Sequence, residues 1–237
     1  MNEIRRLNRT ELVLLFGVPA LLNLIACWVA IPLLDGMHIL PVEAVYFLSV
    51  GLLVLAPMFF GAIFLTKKEI KSGKLKDIFS RMRIKKLSGQ DIIWTIGGFV
   101  FLSLTSFLIA KIAAPALGID ATPFFFKNMP LDSSHMWLLY VWPVFFFFNI
   151  FGEEFLWRGY ILPAQELLNG KITWFIHGLL WAAWHLPMGL DLIFTAAPIF
   201  FILPAIVQLR KNTTIAIVIH FVFGAFGFLS LALGLVH

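Results

Sequence analysis

Two adjacent glutamates and an arginine interrupt one of the most apolar stretches of the chain. The segment from Phe145 to Tyr160 reads FFFFNIFGEEFLWRGY and carries Glu153, Glu154 and Arg158. An ionised side chain inside a bilayer costs from a few to more than ~10 kcal/mol, so charges within an apolar span indicate function. Neighbouring residues of a helix point about 100° apart, so we expect the two carboxylates to have different roles.

Glu154 and Arg158 stand four residues apart, with the acid on the N-terminal side. That order favours an ion pair on one helix face, so we assign the pair a structural, supporting role. Glu153 then has no partner on its own helix and is the candidate reactive carboxylate. Asn149 lies one turn before Glu153 on the same face and is a candidate hydrogen-bond donor to the site. The alternative for Asn149 is an amide bonded to a neighbouring helix.

Two histidines in later apolar segments are the candidate partners of Glu153. If the chain turns at Asn169-Gly170, Glu153 lies about 16 residues before the turn and His185 about 15 residues after it. Because a helix rises by a constant length per residue, these two side chains should reach the same depth. His220 fits less well, since it lies only about nine residues after the Lys211-Asn212 turn and its helix must tilt or start deeper.

Glu153, His185 and His220 together are suited to hydrolysis. A carboxylate beside a neutral imidazole can deprotonate a water molecule, and a second imidazole can donate a hydrogen bond to the oxyanion of a tetrahedral intermediate. The same three side chains also form a two-His-one-carboxylate set that could hold Zn²⁺ with one position open for water. No cofactor is favoured, and bound zinc is kept as the alternative.

Helices that span a membrane must position these side chains. Of the 237 residues, 60% are hydrophobic and only 13% are charged, a composition unlike that of soluble domains. A helix needs about 20 apolar residues to cross the bilayer, and the turn spacing of a membrane barrel is absent. The apolar runs that are long enough cover approximately residues 11–34, 42–66, 92–117, 136–168, 172–190, 193–209 and 212–235.

The sequence therefore predicts an all-α polytopic membrane bundle of about seven transmembrane helices, with residues 1–237 forming a single domain. The catalytic core helices should lie at about 136–235. The first two helices carry no mid-span charge and are predicted to be scaffold. Residues 67–86 could form a short amphipathic helix in the membrane interface. Its lipid-facing side chains would be Ile70, Leu75, Ile78, Phe79 and Met82.

Basic residues predict the orientation. Segments 1–10, 67–91, 158–171 and 210–211 hold 16 of the 18 Lys and Arg residues, whereas Lys127 lies in an outer loop and Lys111 within the third span. This asymmetry predicts a cytoplasmic N-terminus and an outer C-terminus. The net charge of +5 is explained by a basic loop facing anionic headgroups, so no nucleic-acid partner is expected.

The polar residues resemble the three-motif signature of the CPBP intramembrane proteases, which include CaaX prenyl-protein endopeptidases and bacteriocin-processing or Abi proteins. The similarity covers roughly residues 136–235. It rests on Glu153-Glu154-x-x-x-Arg158 continuing to Pro163, on the aromatic-x-x-x-His from Trp181 to His185, and on His220. The resemblance implies that Glu153 and His185 activate water and that His220 stabilises the oxyanion. It also implies an integral protein of a prokaryotic plasma membrane.

One position departs from the family pattern. The polar residue, normally Asn, that accompanies the second histidine four positions later is Gly224 here, and glycine has no side-chain donor. Loss of one oxyanion donor typically costs ~2.7–4 kcal/mol of transition-state stabilisation. Asn149 is a candidate replacement for this donor.

The expected activity is intramembrane hydrolysis of a peptide bond in a membrane-associated substrate, either prenylated or bacteriocin-like. The protease could be of the glutamate type or the metallo type. One alternative is a catalytically weak relative that binds a peptide or acts as an immunity protein, and Gly224 favours this alternative. Another is a proton-coupled transporter with a Glu153, His185 and His220 relay, although the sequence shows no internal repeat. Expected partners are membrane lipid and a peptide or protein substrate, with the oligomeric state left open.

Overall fold

The computed structural model describes residues 4–119, 123–126 and 128–235; Lys127, used above for the orientation, lies outside them. Within the described ranges the chain is helical and contains no strand, which confirms the all-α fold. The helices are α1 (Arg9–Asp35), α2 (Val42–Ile70), α3 (Leu75–Arg81), α4 (Gly89–Leu117), α5 (residues 138–169), α6 (Thr173–Trp184), α7 (Leu190–Arg210) and α8 (Thr213–Ala232).

The helices make the chain an integral membrane protein. In the described ranges, six helical runs are long and apolar enough to cross a membrane, one of them being the 47-residue run Leu138–Trp184. That run contains both the fourth and the fifth predicted spans, joined by the 3₁₀ turn Gly170–Ile172. Gly170 begins the turn with φ 58°, at the position predicted from Asn169-Gly170. Because α6 has only 12 residues, it does not count as a span of its own.

Proline residues explain why several spans widen into π-helix. The π-helical segments are Ala26–Ala30, Gly51–Leu55, Ile109–Ala113 and Glu154–Ile161, and they precede Pro32, Pro57, Pro115 and Pro163. A proline lacks the backbone N–H and its ring clashes with the carbonyl four residues earlier, so a widened turn relieves the clash. Proline is not sufficient, since Pro143 lies within regular α-helix. In α5 the widened turn contains Glu154 and Arg158.

Two glycines let helices touch closely beside the polar residues. A Cβ atom on Gly152 would lie 2.6 Å from the carbonyl oxygen of Leu55, and one on Gly178 would lie 2.7 Å from that of Phe200. Such contacts are tighter than a side chain allows, so only glycine permits these crossings. Consequently α5 packs closely on α2 next to Glu153, and α6 packs closely on α7.

Ion pairs gather at one end of the bundle, called here the charged end, where α2, α5 and α7 finish and α4 and α8 begin. The pairs are Glu69 with Arg81, Glu166 with Arg83 and Lys211, and Asp91 with Arg210. The side chains of Glu69 and Arg81 are 5% and 0% exposed, and their closest atoms are 2.6 Å apart. These pairs therefore connect α2 with α3 and α4 with α7, and they connect α5 with the segment after α3 and with the turn before α8.

The lipid-facing arrangement predicted for α3 is wrong for two of its side chains. Ile78 and Met82 are 1% and 0% exposed, whereas Leu75 and Phe79 remain exposed. Arg81 donates hydrogen bonds to the carbonyl oxygens of Gly159 and Tyr160 in α5. An amphipathic helix can bury its apolar face against protein as well as lipid, and here α3 packs against α5.

Candidate active site

A cavity of about 220 Å³ lies between the helices on the side of Glu153 away from the charged end. Its polar wall residues are Asn149 and Glu153 from α5, His185 directly after α6, and His220 from α8, with Gly224 one turn further on. The cavity thus contains all three residues predicted to be catalytic. Tyr46, Val50 and Leu55 of α2 also line it, so a helix predicted to be scaffold forms part of the cavity wall.

The Glu153 carboxylate is held by two neutral donors. Asn149 Nδ2 donates to Oε1 at 2.8 Å, and Trp181 Nε1 donates to Oε2 at 2.7 Å. The side chain is buried, with the residue 2% exposed. The expected histidine partners are not its hydrogen-bond partners: within the described residues neither His185 nor His220 is bonded to Glu153. Neutral donors orient the carboxylate without cancelling a negative charge on it.

Glu154 occupies the opposite kind of environment. Its Oε1 lies 2.8 Å from Nδ1 of His220, and its Oε2 lies 3.2 Å from Nε of Arg158. The predicted ion pair is therefore present, and Glu154 has acquired His220 as an additional partner. Since an ionised carboxylate only accepts hydrogen bonds, the His220 Nδ1 carries the hydrogen. Glu154 thereby fixes the orientation of the His220 ring in the cavity wall.

Arg158 is fully buried and stacks on the site rather than forming a well-aligned ion pair. None of its three guanidinium nitrogens has a hydrogen-bond partner among the described residues. Its Cζ instead lies 3.5 Å from the centroid of the Trp181 ring. A guanidinium at this distance over an indole face makes a favourable cation–π contact. Arg158 thus supports both Glu154 and the indole that holds Glu153.

His185 is oriented by its own helix. Its Nδ1 lies 2.9 Å from the carbonyl oxygen of Trp181, and the ring contacts those of Trp184 and Phe200. Because a carbonyl only accepts, Nδ1 carries the hydrogen and the neutral ring keeps a lone pair on Nε2. His185 therefore has the tautomer required of a proton acceptor, and it shares the cavity with Glu153 as the depth argument predicted.

The space next to Gly224 is filled from α5. A Cβ atom at this position would lie 3.0 Å from Cε2 of Phe146 and 4.0 Å from Cδ1 of Ile150. A larger residue would require the Phe146 ring to move by a few tenths of an ångström. The α8 wall therefore supplies no side-chain donor one turn after His220.

The arrangement does not match a zinc ligand set. Across the described part of the chain, no three His, Cys, Asp or Glu side chains are grouped so as to hold a metal ion. Both Glu153 oxygens already accept hydrogen bonds, whereas each histidine is bonded through Nδ1 and keeps Nε2 for a ligand. Glu153, His185 and His220 would have to rearrange before they could ligate one ion together.

The sequence did not identify Trp181 and Tyr46 as polar residues of the cavity wall. Trp181 served only as the aromatic spacing marker before His185, yet its indole N–H holds Glu153. The signal was available, since Trp181 is the residue of the aromatic-x-x-x-His pattern that carries a donor. Tyr46 is the other, and the signal for it is a phenol hydroxyl within an otherwise apolar span.

Comparison with known proteins gives one match. Residues 135–226 match the family described as type II CAAX prenyl endopeptidase Rce1-like. This range contains α5, α6, α7 and the part of α8 that carries His220 and Gly224. No curated protein and no solved structure gives a significant match to the chain.

Proposed function

We propose that the chain cleaves membrane-associated peptides with Glu153-activated water, starting from the match of residues 135–226 to the family described as type II CAAX prenyl endopeptidase Rce1-like. The observation that carries the proposal is the shared cavity, in which Glu153, His185 and His220 face one space. A volume of about 220 Å³ exceeds the share of several liquid waters at about 30 Å³ each. The cavity is thus large enough for a water molecule beside part of a peptide.

In the proposed reaction a water molecule lies between Glu153 and His185. Glu153 takes one proton from the water as its oxygen bonds to the carbonyl carbon, while His185 Nε2 accepts a hydrogen bond from the other hydrogen, which stays on that oxygen. The carbonyl π electrons move to oxygen. The His220 ring, which is oriented by Glu154, stabilises the resulting oxyanion by donating a hydrogen bond from Nε2 as an imidazolium. The oxyanion electrons then re-form the carbonyl bond as the carbon–nitrogen bond breaks, and the departing amine takes the proton from Glu153.

The remaining polar residues support this chemistry. Asn149 and Trp181 fix the Glu153 carboxylate by one hydrogen bond to each oxygen. Glu154 orients His220, and Arg158 holds both Glu154 and the Trp181 ring. A base that is already oriented loses less conformational entropy on reaching the transition state than one that must first be ordered.

The test of the proposal is Glu153→Gln, which keeps the shape of the side chain but removes the base. The probe is a farnesylated peptide ending in a CAAX sequence, incubated with the purified protein in liposomes. We expect kcat to fall by about 10²- to 10⁴-fold, the usual contribution of a general base. The matched control is Asp191→Asn, which neutralises an exposed carboxylate outside the cavity and should leave cleavage unchanged. Full activity of Glu153→Gln would contradict the assignment.

The substrate class is part of the same experiment. The family description supports a prenylated substrate, whereas the sequence also allowed a bacteriocin-like precursor. We propose the prenylated peptide, and the identical peptide without its farnesyl group is the comparison. Faster cleavage of the farnesylated form is expected, and equal rates would favour a substrate recognised without a lipid.

We also propose that water activation needs no bound metal, which is supported by the arrangement of the described residues, where no three His, Cys, Asp or Glu side chains are grouped closely enough to hold an ion. The measurement is the metal content of active protein together with cleavage after chelator treatment. Unchanged cleavage after removal of metal is expected. Stoichiometric zinc whose removal abolishes cleavage, and whose return restores it, would contradict this part of the proposal.

A peptide-binding or immunity protein is the second candidate, because Gly224 leaves the α8 wall without a side-chain donor. Such a protein would retain the farnesylated peptide in the cavity without cutting it. Binding by both wild type and Glu153→Gln, with no cleavage by either, would favour this candidate. Cleavage that depends on Glu153 would exclude a pure binding role.

We propose that the charged end faces the cytoplasm of a prokaryotic cell, since it carries most of the basic residues. Met37 is exposed in the loop before α2 and Lys74 is exposed in the loop after it, so they lie at opposite ends of that helix. The single cysteine, Cys27, is buried. In intact cells a membrane-impermeant maleimide should therefore label Met37→Cys and spare Lys74→Cys. The reverse labelling pattern would contradict the orientation.

A further inference from the structure

Tyr46 in α2 presents an unassigned donor to the cavity. The residue is only 6% exposed and lines the same space as Glu153, His185 and His220. Within the described part of the chain its hydroxyl has no hydrogen-bond partner. A buried tyrosine hydroxyl usually finds a partner, so one without a protein partner in a catalytic cavity is suited to a ligand.

The Tyr46 ring is held firmly. It stacks on Phe125 with centroids 3.8 Å apart and an interplanar angle of 5°, and it contacts Phe145 at 5.5 Å. Both contacts are made by ring faces and edges rather than by the hydroxyl. The position of the phenol oxygen is therefore set before any substrate binds, which is the condition for effective stabilisation of a developing charge.

The other cavity groups leave a need for such a donor. Trp181 donates its indole hydrogen to Glu153, and His185 donates its Nδ1 hydrogen to a backbone carbonyl. Gly224 has no side chain. His220 uses its Nδ1 hydrogen on Glu154, so it can donate into the cavity from Nε2 only as an imidazolium.

Asn149, Tyr46 and Trp184 are the neutral donors that remain, and the Trp184 Nε1 atom is itself buried away from the open space. One hydrogen of the Asn149 amide bonds to Glu153, which ties that group to the base. Tyr46 lies on a different helix, so the cavity has the base on the α5 wall and a phenol on the α2 wall. A phenol keeps its hydrogen at neutral pH and donates without changing its charge.

We propose that Tyr46 is a catalytic residue whose hydroxyl donates a hydrogen bond to the oxyanion formed when water attacks the peptide carbonyl. This inference rests on the proposed endopeptidase activity. Tyr46 transfers no proton: the hydrogen stays on the phenol while the carbonyl oxygen gains and then loses its negative charge. The hydroxyl replaces the donor that is missing at Gly224.

The test is Tyr46→Phe, which removes the hydroxyl and keeps the ring on Phe125. With the farnesylated CAAX peptide, kcat should fall by about 10²-fold or more while KM changes little, as for loss of an oxyanion donor. A phosphinate isostere of the scissile bond mimics the tetrahedral oxyanion. Its inhibition constant should rise by a similar factor, whereas the thermal unfolding temperature should not change.

A second variant separates the hydroxyl from the ring. Phe125→Leu removes the stacking partner but keeps the phenol, and it should reduce kcat less than Tyr46→Phe does. Wild-type kcat and unchanged phosphinate binding in Tyr46→Phe would overturn the inference and leave the proposed function intact, as would a change confined to KM. Absence of Glu153-dependent cleavage in the wild-type protein would contradict the proposed function and overturn this inference with it.

Discussion

The buried carboxylates of the charged end and those of the cavity have different partners. Glu69 faces Arg81, and Glu166 faces both Arg83 and Lys211, so each acid there is matched by a cation. Glu153 in the cavity is held instead by the amide of Asn149 and the indole of Trp181.

The difference puts the same chemical group in two different environments. A carboxylate paired with a cation resists protonation and joins helices, because removing one partner leaves a buried charge uncompensated. A carboxylate held by neutral donors keeps its orientation and its capacity to accept a proton. Glu154 lies between these cases, since it touches both Arg158 and the cavity residue His220.

Breaking a pair at the charged end should have the largest effect on stability. Arg81→Met leaves Glu69 buried without its cation, which should cost about 3–5 kcal/mol of unfolding free energy. Thermal unfolding in detergent measures the loss, and Lys74→Met is the matched control because Lys74 is exposed in the adjacent loop. The double variant Glu69→Gln/Arg81→Met should recover part of the loss. An unfolding temperature equal to wild type in Arg81→Met would contradict a stabilising role of the Glu69–Arg81 pair between α2 and α3.

Removing a neutral donor from Glu153 should have a smaller effect, and on rate. Trp181→Phe deletes the indole N–H and keeps an aromatic ring beside Arg158. A hydrogen bond to a charged group is worth about 1.5–3 kcal/mol, so kcat should fall by roughly 10- to 150-fold. Measurement of kcat and KM separately is required, with Trp174→Phe as the control because Trp174 is exposed on the same helix outside the cavity. Equal rates for Trp181→Phe and wild type would show that Glu153 does not depend on this donor.

The smallest predicted effect concerns Gly224. Gly224→Asn forces a side chain against the Phe146 ring, and overpacking of this kind typically costs about 1–3 kcal/mol of stability. The variant Phe146→Leu/Gly224→Asn should relieve the clash and cleave the farnesylated peptide faster than Phe146→Leu alone. If the added amide gives no gain over Phe146→Leu, a donor at this position is not limiting.

The sequence was sufficient for the parts of the fold that depend on bilayer thickness and turn chemistry. Apolar runs located the spans, and Asn169-Gly170 located the turn that brings Glu153 and His185 to one depth. The burial of α3 was not predictable, because an apolar face suited to lipid is equally suited to α5. Pro163 signalled the wide turn of α5, although Pro143 shows that proline alone does not decide it.

The candidate site was predictable by residue but not by partner. Depth counting and the family resemblance selected Glu153, His185 and His220, which line one cavity. Which carboxylate His220 contacts depends on the rotation of α5 at its π-helical turn, and the sequence does not specify that rotation. Tyr46 was missed for a related reason, since a phenol in an apolar span carries no formal charge to mark it.

The most direct measurement compares Glu153→Gln with Glu166→Gln in a single experiment. For each variant, cleavage of the farnesylated peptide is divided by the amount of folded protein, and thermal unfolding is recorded alongside. We predict that Glu153→Gln loses cleavage without losing stability, whereas Glu166→Gln unfolds at a lower temperature and still cleaves. Wild-type cleavage by Glu153→Gln, or loss of cleavage by folded Glu166→Gln, would contradict the division between a reactive carboxylate and carboxylates that join helices through ion pairs.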